Sequence, residues 1–311
     1  MNTDAKIYVA GHRGVAGSAV VRMLQKLGYH NIITRTHKEL DLTEQYEVNS
    51  FFKSNKPELV YFFAAKRPSI LNKANSPVDA CFDTMQMTLN VLKAAHDNGV
   101  KKLLLASSGL AYPINDENAI KEDTILSGPY EKTNEPYSLG KIVGAKLCEY
   151  FHKQYGDQFF SVMPCVFFGP GDNFNIGEGP VVPTLIHRFH IAKEKKDPEF
   201  VLWGTGKPKR EYMYSDNVAS GCVFLMQNGE GGQNYNIGNG GKMISILELA
   251  EMIAKVVDYK GKIVTDPSKP DGAKLIPLNS DRIYSMGWKP EFSMEDGLRE
   301  TYNSFLRMVS Q

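Results

Sequence analysis

The chain of 311 residues could hold one large α/β domain or two smaller ones, and its Lys+Arg 36 against Asp+Glu 35 leave a net charge of +1. No basic run marks a nucleic-acid face and no stretch reaches the roughly 18 uninterrupted apolar residues of a membrane span, so small molecules or a second copy of the chain are the expected partners. Cys81, Cys148, Cys165 and Cys222 lie far apart with no Cys-x-x-Cys among them, and the N-terminus enters a strand pattern without a signal-peptide apolar region; reduced thiols, no metal and a cytoplasmic location are expected.

Lys6 to Ala10 is a short buried-strand run. Gly11, His12, Arg13, Gly14, Val15, Ala16 and Gly17 follow at once and open a helix over 16–27. Glycines three apart allow a tight turn, close approach of the backbone to a pyrophosphate, and close packing of the helix on the strand, with the helix N-terminus facing the anion. The strand before and the helix after supply the context that makes this pattern a dinucleotide-binding one. A second strand, Asn31 to Thr34, ends in Arg35, where an NAD-preferring domain places an acidic residue for the ribose 2′-hydroxyl. Arg35, with Arg13, offers guanidinium groups suited to a 2′-phosphate, which makes NADP(H) the expected cofactor; an ordinary solvated arginine is the alternative.

A helix over 44–54 leads to a strand from Leu59 to Phe63 and then to Ala64, Ala65 and Lys66. Small residues at a strand end let a cofactor come close. A long helix over 77–98 precedes the strand Lys102 to Ala106, which delivers Ser107 and Ser108 to the end where open α/β sheets place ligand chemistry. The next helix, over 136–150, carries Tyr137 and Lys141 on one face. A phenol of ordinary pKa roughly 10 is a poor acid at neutral pH, and a fixed ammonium beside it favours the phenolate. Alone, such a pair also fits an ordinary helix with one exposed lysine. A strand from Phe159 to Met163, closed by Pro164, completes an alternation that implies a right-handed, doubly wound parallel sheet of the Rossmann type.

Beyond residue 170 the rhythm loosens. Loops over 169–180 precede a helix over 181–192, a charged turn from Lys193 to Asp197, and a strand from Phe200 to Trp203. Glycine-rich residues 204–210, the run Glu211 to Tyr214 and helices over 216–227, 244–258 and 294–308 complete the chain. This half reads as a smaller, interleaved α/β cap. The expected division is a cofactor domain over 1–170, with contributions near 211–240, and a substrate cap over 171–311.

With glycine loop, strand-end serine and Tyr-x-x-x-Lys in order, the chain resembles the extended short-chain dehydrogenase/reductase superfamily over essentially its full length. It is most similar to the GDP-fucose synthases, which are GDP-4-keto-6-deoxymannose 3,5-epimerase/4-reductases. The likeness is carried by Ala10 to Gly14, Ala64 to Lys66, Thr133 to Ser138, Ser161 to Pro164, Gly169 with Pro170, Asp172 to Phe174, Trp203 to Gly206, Arg210 with Glu211, and Lys269 to Gly272. The resemblance implies a reductase in which Ser108 and Tyr137 hydrogen-bond the 4-keto oxygen of a nucleotide sugar. NADPH would give hydride to C4, Tyr137 the proton, and Lys141 would hold the nicotinamide ribose and tune Tyr137. An alkoxide developing at C4 needs such donors in place beforehand. The resemblance adds Asp41, Leu42 and Pro164 to the glycine loop, Arg35, Ala64, Ala65 and Lys66 as cofactor contacts. It implies Ser107, Arg67, Asn173, Val181, Arg188, Trp203, Arg210 and Asp271 as substrate contacts, although Trp203 also suits plain core packing.

The chain departs from that family at its epimerase pair, a cysteine just after the strand-end serines and a histidine before a Val-x-Pro. The cysteine position holds Leu110, or Gly109 counted from the serines, and the histidine position holds Pro180. His187 lies roughly 10 Å further along a helix. Cys165 is either a substitute base or a packed thiol. A reductase set without an epimerase pair implies a 4-ketoreductase that does not invert C3 or C5. Arg67, Pro68 and Ser69 replace a usual Val-Gly-Gly, and Val166 a usual asparagine, changes that alter which sugar hydroxyls are read. A GDP-4-keto-6-deoxyheptose, or a related GDP-4-keto sugar destined for a bacterial capsular polysaccharide, is the expected substrate. The alternatives are a bifunctional epimerase/reductase and a non-catalytic NADPH-binding sensor. Met85, Met87, Leu89 and Val143 suit a homodimer interface or burial within one chain.

Overall fold

The apolar runs of the N-terminal half pair side by side in a computed structural model, which describes residues 2–65, 77–114, 119–272 and 275–310. In chain order they are β1 (Ile7–Ala10), α1 (Val15–Lys26), β2 (Ile32–Ile33), α2 (Gln45–Asn55), β3 (Leu59–Phe62), α3 (Pro77–Asp97), β4 (Lys102–Ala106), α4 (Glu135–Tyr155) and β5 (Phe159–Pro164). The C-terminal half follows as β6 (Val166–Phe168), α5 (Val181–Lys195), β7 (Glu199–Trp203), β8 (Lys209–Tyr214), α6 (Ser215–Asn228), β9 (Asn234–Ile237), β10 (Met243–Ser245), α7 (Ile246–Val257), β11 (Lys262–Asp266), α8 (Asp281–Ser285) and α9 (Met294–Val309).

Six strands form one parallel sheet in the order β2-β1-β3-β4-β5-β9. Strand residues alternate faces, and helices cover both. Ile7, Val9 and Tyr61 share one cluster with Val20 and Leu24 of α1 and Val218 and Leu225 of α6. Tyr8, Ala10, Val60 and Phe62 share the opposite one with Phe52, Val91 and Leu92. Burial on both sides is why these strands read as continuous apolar runs. The strand order reverses between β1 and β3, which opens a crevice beyond their carboxyl ends.

The looser half builds a three-stranded sheet, β10-β8-β6, and a two-stranded one, β11-β7. A third core lies among α5, α7, α9 and these strands; in it Phe189 stacks on Phe200 at 3.7 Å, and Leu249, Ile253, Leu298 and Phe305 close the space. Ser245 and Glu248 form a reciprocal cap that starts α7, and Ser293 caps α9. The charged run expected as a turn from Lys193 is instead the last turn of α5, which stops at Lys196 with φ +55°. Strands β6, β9, β10 and β11 were not legible as separate elements. Of these, β9 is the sixth strand of the main sheet, paired to β5 with Ser161 opposite Asn234. No helix among the described residues is long and apolar enough to cross a membrane.

Candidate active site and cofactor cleft

The turn after β1 is built by close contact. Gly11 has φ +83°, and a Cβ there would lie 2.7 Å from Ala64 N at the end of β3. A Cβ on Gly17 would lie 2.2 Å from Gly11 O, so α1 sits directly on the turn. Gly14 meets nothing nearer than 3.4 Å, and it begins α1 with no side-chain cap on the helix N–H groups. The fold would tolerate a Cβ at Gly14, whereas the other two glycines are required by the fold itself. Within the loop, His12 Nδ1 is enclosed without a hydrogen-bond partner, and burial, then the neighbouring Arg13, lowers its pKa. A neutral imidazole and a ring of N–H groups at a helix start suit the pyrophosphate of a dinucleotide.

Arg35, at the end of β2, lays its guanidinium 5.6 Å from the Phe51 ring and donates to Thr34 O at 2.7 Å. Val15 and Ala16 open α1, while Ala64 and Ala65 stand part-exposed beyond β3. Asp41 and Leu42 lie in the turn before α2, where the Asp41 carboxylate accepts from Thr43 N and Oγ1 at 2.9 and 2.7 Å. Pro164 closes β5. Lys66 and Arg67, with Pro68 and Ser69, lie outside the described residues.

Ser108 and Lys141 are held where β4 ends, with Tyr137 one helical turn before the lysine. Ser108 Oγ accepts from the Leu110 N–H at 3.2 Å and so starts the short turn Gly109–Ala111. With that acceptor site used, the hydroxyl proton is left to point elsewhere. Ser107 is buried and donates to Lys141 O at 3.3 Å. Lys141 is only 6% exposed, donates from Nζ to Ala106 O at 2.8 Å, and stands 6.0 Å from the Tyr137 ring centre. Gly140 and Gly144 bracket this lysine, and Cβ atoms there would come within 3.1 Å of Thr84 and 2.8 Å of Leu105. Missing side chains therefore let α4 lie close on α3 and β4, which brings Lys141 to the strand end. Ser138, donating to Leu110 O at 2.7 Å, ties the same helix to the serine turn.

On the cap side, Arg188 packs between aromatic rings, 4.7 Å from Phe200 and 5.4 Å from Trp203, and donates to Val201 O. Trp203 is 64% exposed, which rules out core packing as its role. Arg210 donates to Lys209 O and lies against Gly272. The Asp271 carboxylate accepts from Thr205 N and Oγ1 at 2.8 and 2.7 Å and holds the Gly204–Gly206 turn. Asn173 accepts from Asn175 N, and Val181 is the exposed first residue of α5.

The positions expected for an acid and a base carry none. Leu110 is engaged through its backbone, and Pro180 precedes α5. His187 bonds Phe174 O at 2.9 Å and packs on Phe305. Cys165 is buried, and burial, then the nearby Glu211, pushes its thiol pKa well up. A thiol held protonated cannot act as a base.

Glu211 has a role that its motif with Arg210 does not reveal. It is 4% exposed and accepts from Asn239 N, Gly241 N and Leu278 N at 2.6, 3.1 and 2.9 Å. Burial outweighs those donors and raises its pKa. Leu278 packs beneath Gly109, so this carboxylate joins β8 to the floor of the serine turn. The available signal was an acidic residue directly before the apolar run Tyr212 to Tyr214.

A family model described as the NAD dependent epimerase/dehydratase family matches residues 7–238. The chain is 43% identical over 306 residues to a GDP-L-fucose synthase of Arabidopsis thaliana, covering 98% of this chain and 94% of that one. Among solved structures it is similar to a GDP-D-glycero-L-gluco-heptose synthase from Campylobacter jejuni, crystallised in the presence of NADPH, with TM-score 0.92, 31% identity, and 98% and 99% of the two chains covered. It is also similar to a GDP-mannoheptose C4 reductase from the same organism with NADP bound, with TM-score 0.89, 32% identity, and coverage of 98% and 99%.

Proposed function

The chain belongs to the NAD dependent epimerase/dehydratase family, and from that premise we propose that it is an NADPH-dependent C4-ketoreductase of a GDP-4-keto sugar that leaves C3 and C5 untouched. The observation that carries this reading is the asymmetry of the site. Ser108 and Lys141 are held at one strand end with the Tyr137 ring centre 6.0 Å from the lysine Nζ, while the positions we read as those of an inverting acid and base carry Leu110 and Pro180.

The cofactor would be held by the Gly11–Gly17 turn at its pyrophosphate and by Arg35 at its 2′-phosphate, with Ala64 and Ala65 beside its nicotinamide half. When bound, it supplies the hydride. The chain supplies the proton and the place to put it. Tyr137 donates its hydroxyl proton to the carbonyl oxygen, Ser108 donates a second hydrogen bond to that oxygen, and the Lys141 ammonium stabilises the phenolate left behind. Hydride and proton together convert the ketone to a secondary alcohol. Trp203 and Arg188 would receive the base, and Arg210 the diphosphate.

Heptose enzymes among the structural neighbours make a GDP-4-keto-heptose the first sugar to try after GDP-4-keto-6-deoxymannose. We assign the main sheet, with α6 and β9, to the cofactor and the remaining cap to the sugar nucleotide. Exposed Phe82, Leu89 and Leu139 on α3 and α4 suit a two-fold interface between two copies.

The deciding experiment follows NADPH oxidation with each ketosugar in deuterated water and reads the product by NMR. Reduction with no deuterium at C3 or C5 is the expected result. Deuterium at either carbon overturns the C4-only reading, and absence of NADPH oxidation with every GDP-4-keto sugar overturns the reductase reading.

A further inference from the structure

One buried amide serves the cofactor cleft from outside it. Asn90, on α3, is 3% exposed; its Nδ2 donates to Leu42 O at 3.0 Å and to Thr43 O at 2.9 Å. Its Oδ1 accepts from Gln86 Nε2 at 2.9 Å, which fixes which way the amide faces. Two donors of one rigid amide on successive carbonyls set the orientation of the peptide between them, and an apolar side chain of the same shape would leave both carbonyls unsatisfied.

The peptide so held belongs to the turn between Arg35 and α2. Glu44 N donates to Asp41 O in that turn. The Leu42 side chain is buried in the cluster that contains Ala10 at the end of β1 and borders Ala64. The turn is thus locked to the rim of the crevice on its inner side by Leu42 and across its backbone by Asn90.

We propose that Asn90 is a positioning residue for the adenosine end of the cofactor, holding the Asp41–Thr43 backbone as the wall against which the adenine and its 2′-phosphorylated ribose seat. This rests on the NADPH reading above. Asn90 contacts no reacting atom in this scheme. Removing it should cost affinity for the adenosine half and leave the chemical step alone.

The test is calorimetric titration of the full chain with adenosine 2′,5′-bisphosphate, which carries the adenine and 2′-phosphate but no nicotinamide, and with NADPH. Asn90→Ala should weaken both by the same factor, about 5- to 30-fold for two lost hydrogen bonds, with kcat at saturating NADPH unchanged. Equal factors would place the whole loss in the half that the fragment represents. Gln86→Ala, a milder change at a part-exposed residue, should weaken both by about 2- to 5-fold and serves if Asn90→Ala does not fold. Wild-type binding of the bisphosphate with unchanged affinity in the folded variants overturns the role of Asn90, as does a fall in kcat without a change in either affinity. Failure of the wild type to bind either probe overturns the cofactor reading itself.

Discussion

Lys141 reaches the end of β4 with its ammonium donating to the Ala106 carbonyl, and Tyr137 stands on the same helix face one turn earlier. Tyr137→Phe keeps the ring and removes the proton, so kcat should fall by about 100- to 10,000-fold while the NADPH dissociation constant stays put. Stopped-flow turnover with fluorescence titration checks this, and turnover near wild type removes Tyr137 from the mechanism. Cys165 gives the opposite expectation. With its thiol pKa raised by burial and by Glu211, it carries little thiolate at pH 8, and iodoacetamide should label it in urea but not in the folded protein. Rapid native labelling, read by mass spectrometry, would revive it as a base. At this scale the placing of Tyr137 and Lys141 on one helix and of Ser108 after β4 was legible, because a four-residue helical spacing and a strand end are local patterns. Glu211, Asn90 and the Thr205 contact of Asp271 were not, because each carboxylate or amide finds these partners 28 to 67 residues away, and the sequence alone does not bring those partners together.

Among the elements, the turn from β1 to α1 separates what the fold needs from what the ligand needs. Gly17→Ala gains about 1 kcal/mol of helix propensity but sets a methyl 2.2 Å from a backbone carbonyl that cannot move without opening the turn. The clash wins, and we expect a net loss of about 1–3 kcal/mol in urea unfolding together with loss of NADPH binding. Gly14→Ala meets nothing closer than 3.4 Å and has an ordinary φ of −74°, so stability should stay within about 0.5 kcal/mol while NADPH affinity drops. Equal stability of the two variants in urea unfolding, or unchanged NADPH affinity in Gly14→Ala, contradicts this division. The same turn was readable from the chain because apolar period and glycine spacing coincide there. In contrast, β9 and β11 are Asn-Tyr-Asn-Ile and Lys-Ile-Val-Thr-Asp, short and half polar, and each is made a strand only by a distant partner, β5 or β7.

At the scale of the whole molecule, the main sheet takes its last strand from between β8 and β10 of the cap sheet, so the chain crosses from one to the other and back. A fragment ending at residue 170 lacks α6 and β9 and should leave β5, buried along its whole length in the full chain and apolar but for Ser161, as a bare edge. Size-exclusion chromatography should find it aggregated, and a monomeric, cooperatively melting fragment would show that the first five strands fold alone. The second expectation concerns two copies. Leu89 lines a groove with Leu147 and Phe151 between α3 and α4, and Leu89→Asp should convert a dimer to a monomer in sedimentation velocity. A wild type that sediments as a monomer at micromolar concentration refutes it.

The pairing of β5 with β9 also sets a clock. Ser161 and Asn234 are 73 residues apart, and at the ribosome's pace of roughly 5–20 residues per second the later strand emerges roughly 4–15 s after the earlier one. Through that interval every nascent chain on a polysome presents the same unpaired apolar edge, a template for its neighbours. Yield in the cell is therefore governed by how well that edge is shielded during synthesis, and slowing translation between the two strands should lower the soluble fraction without altering the stability of the molecules that do fold.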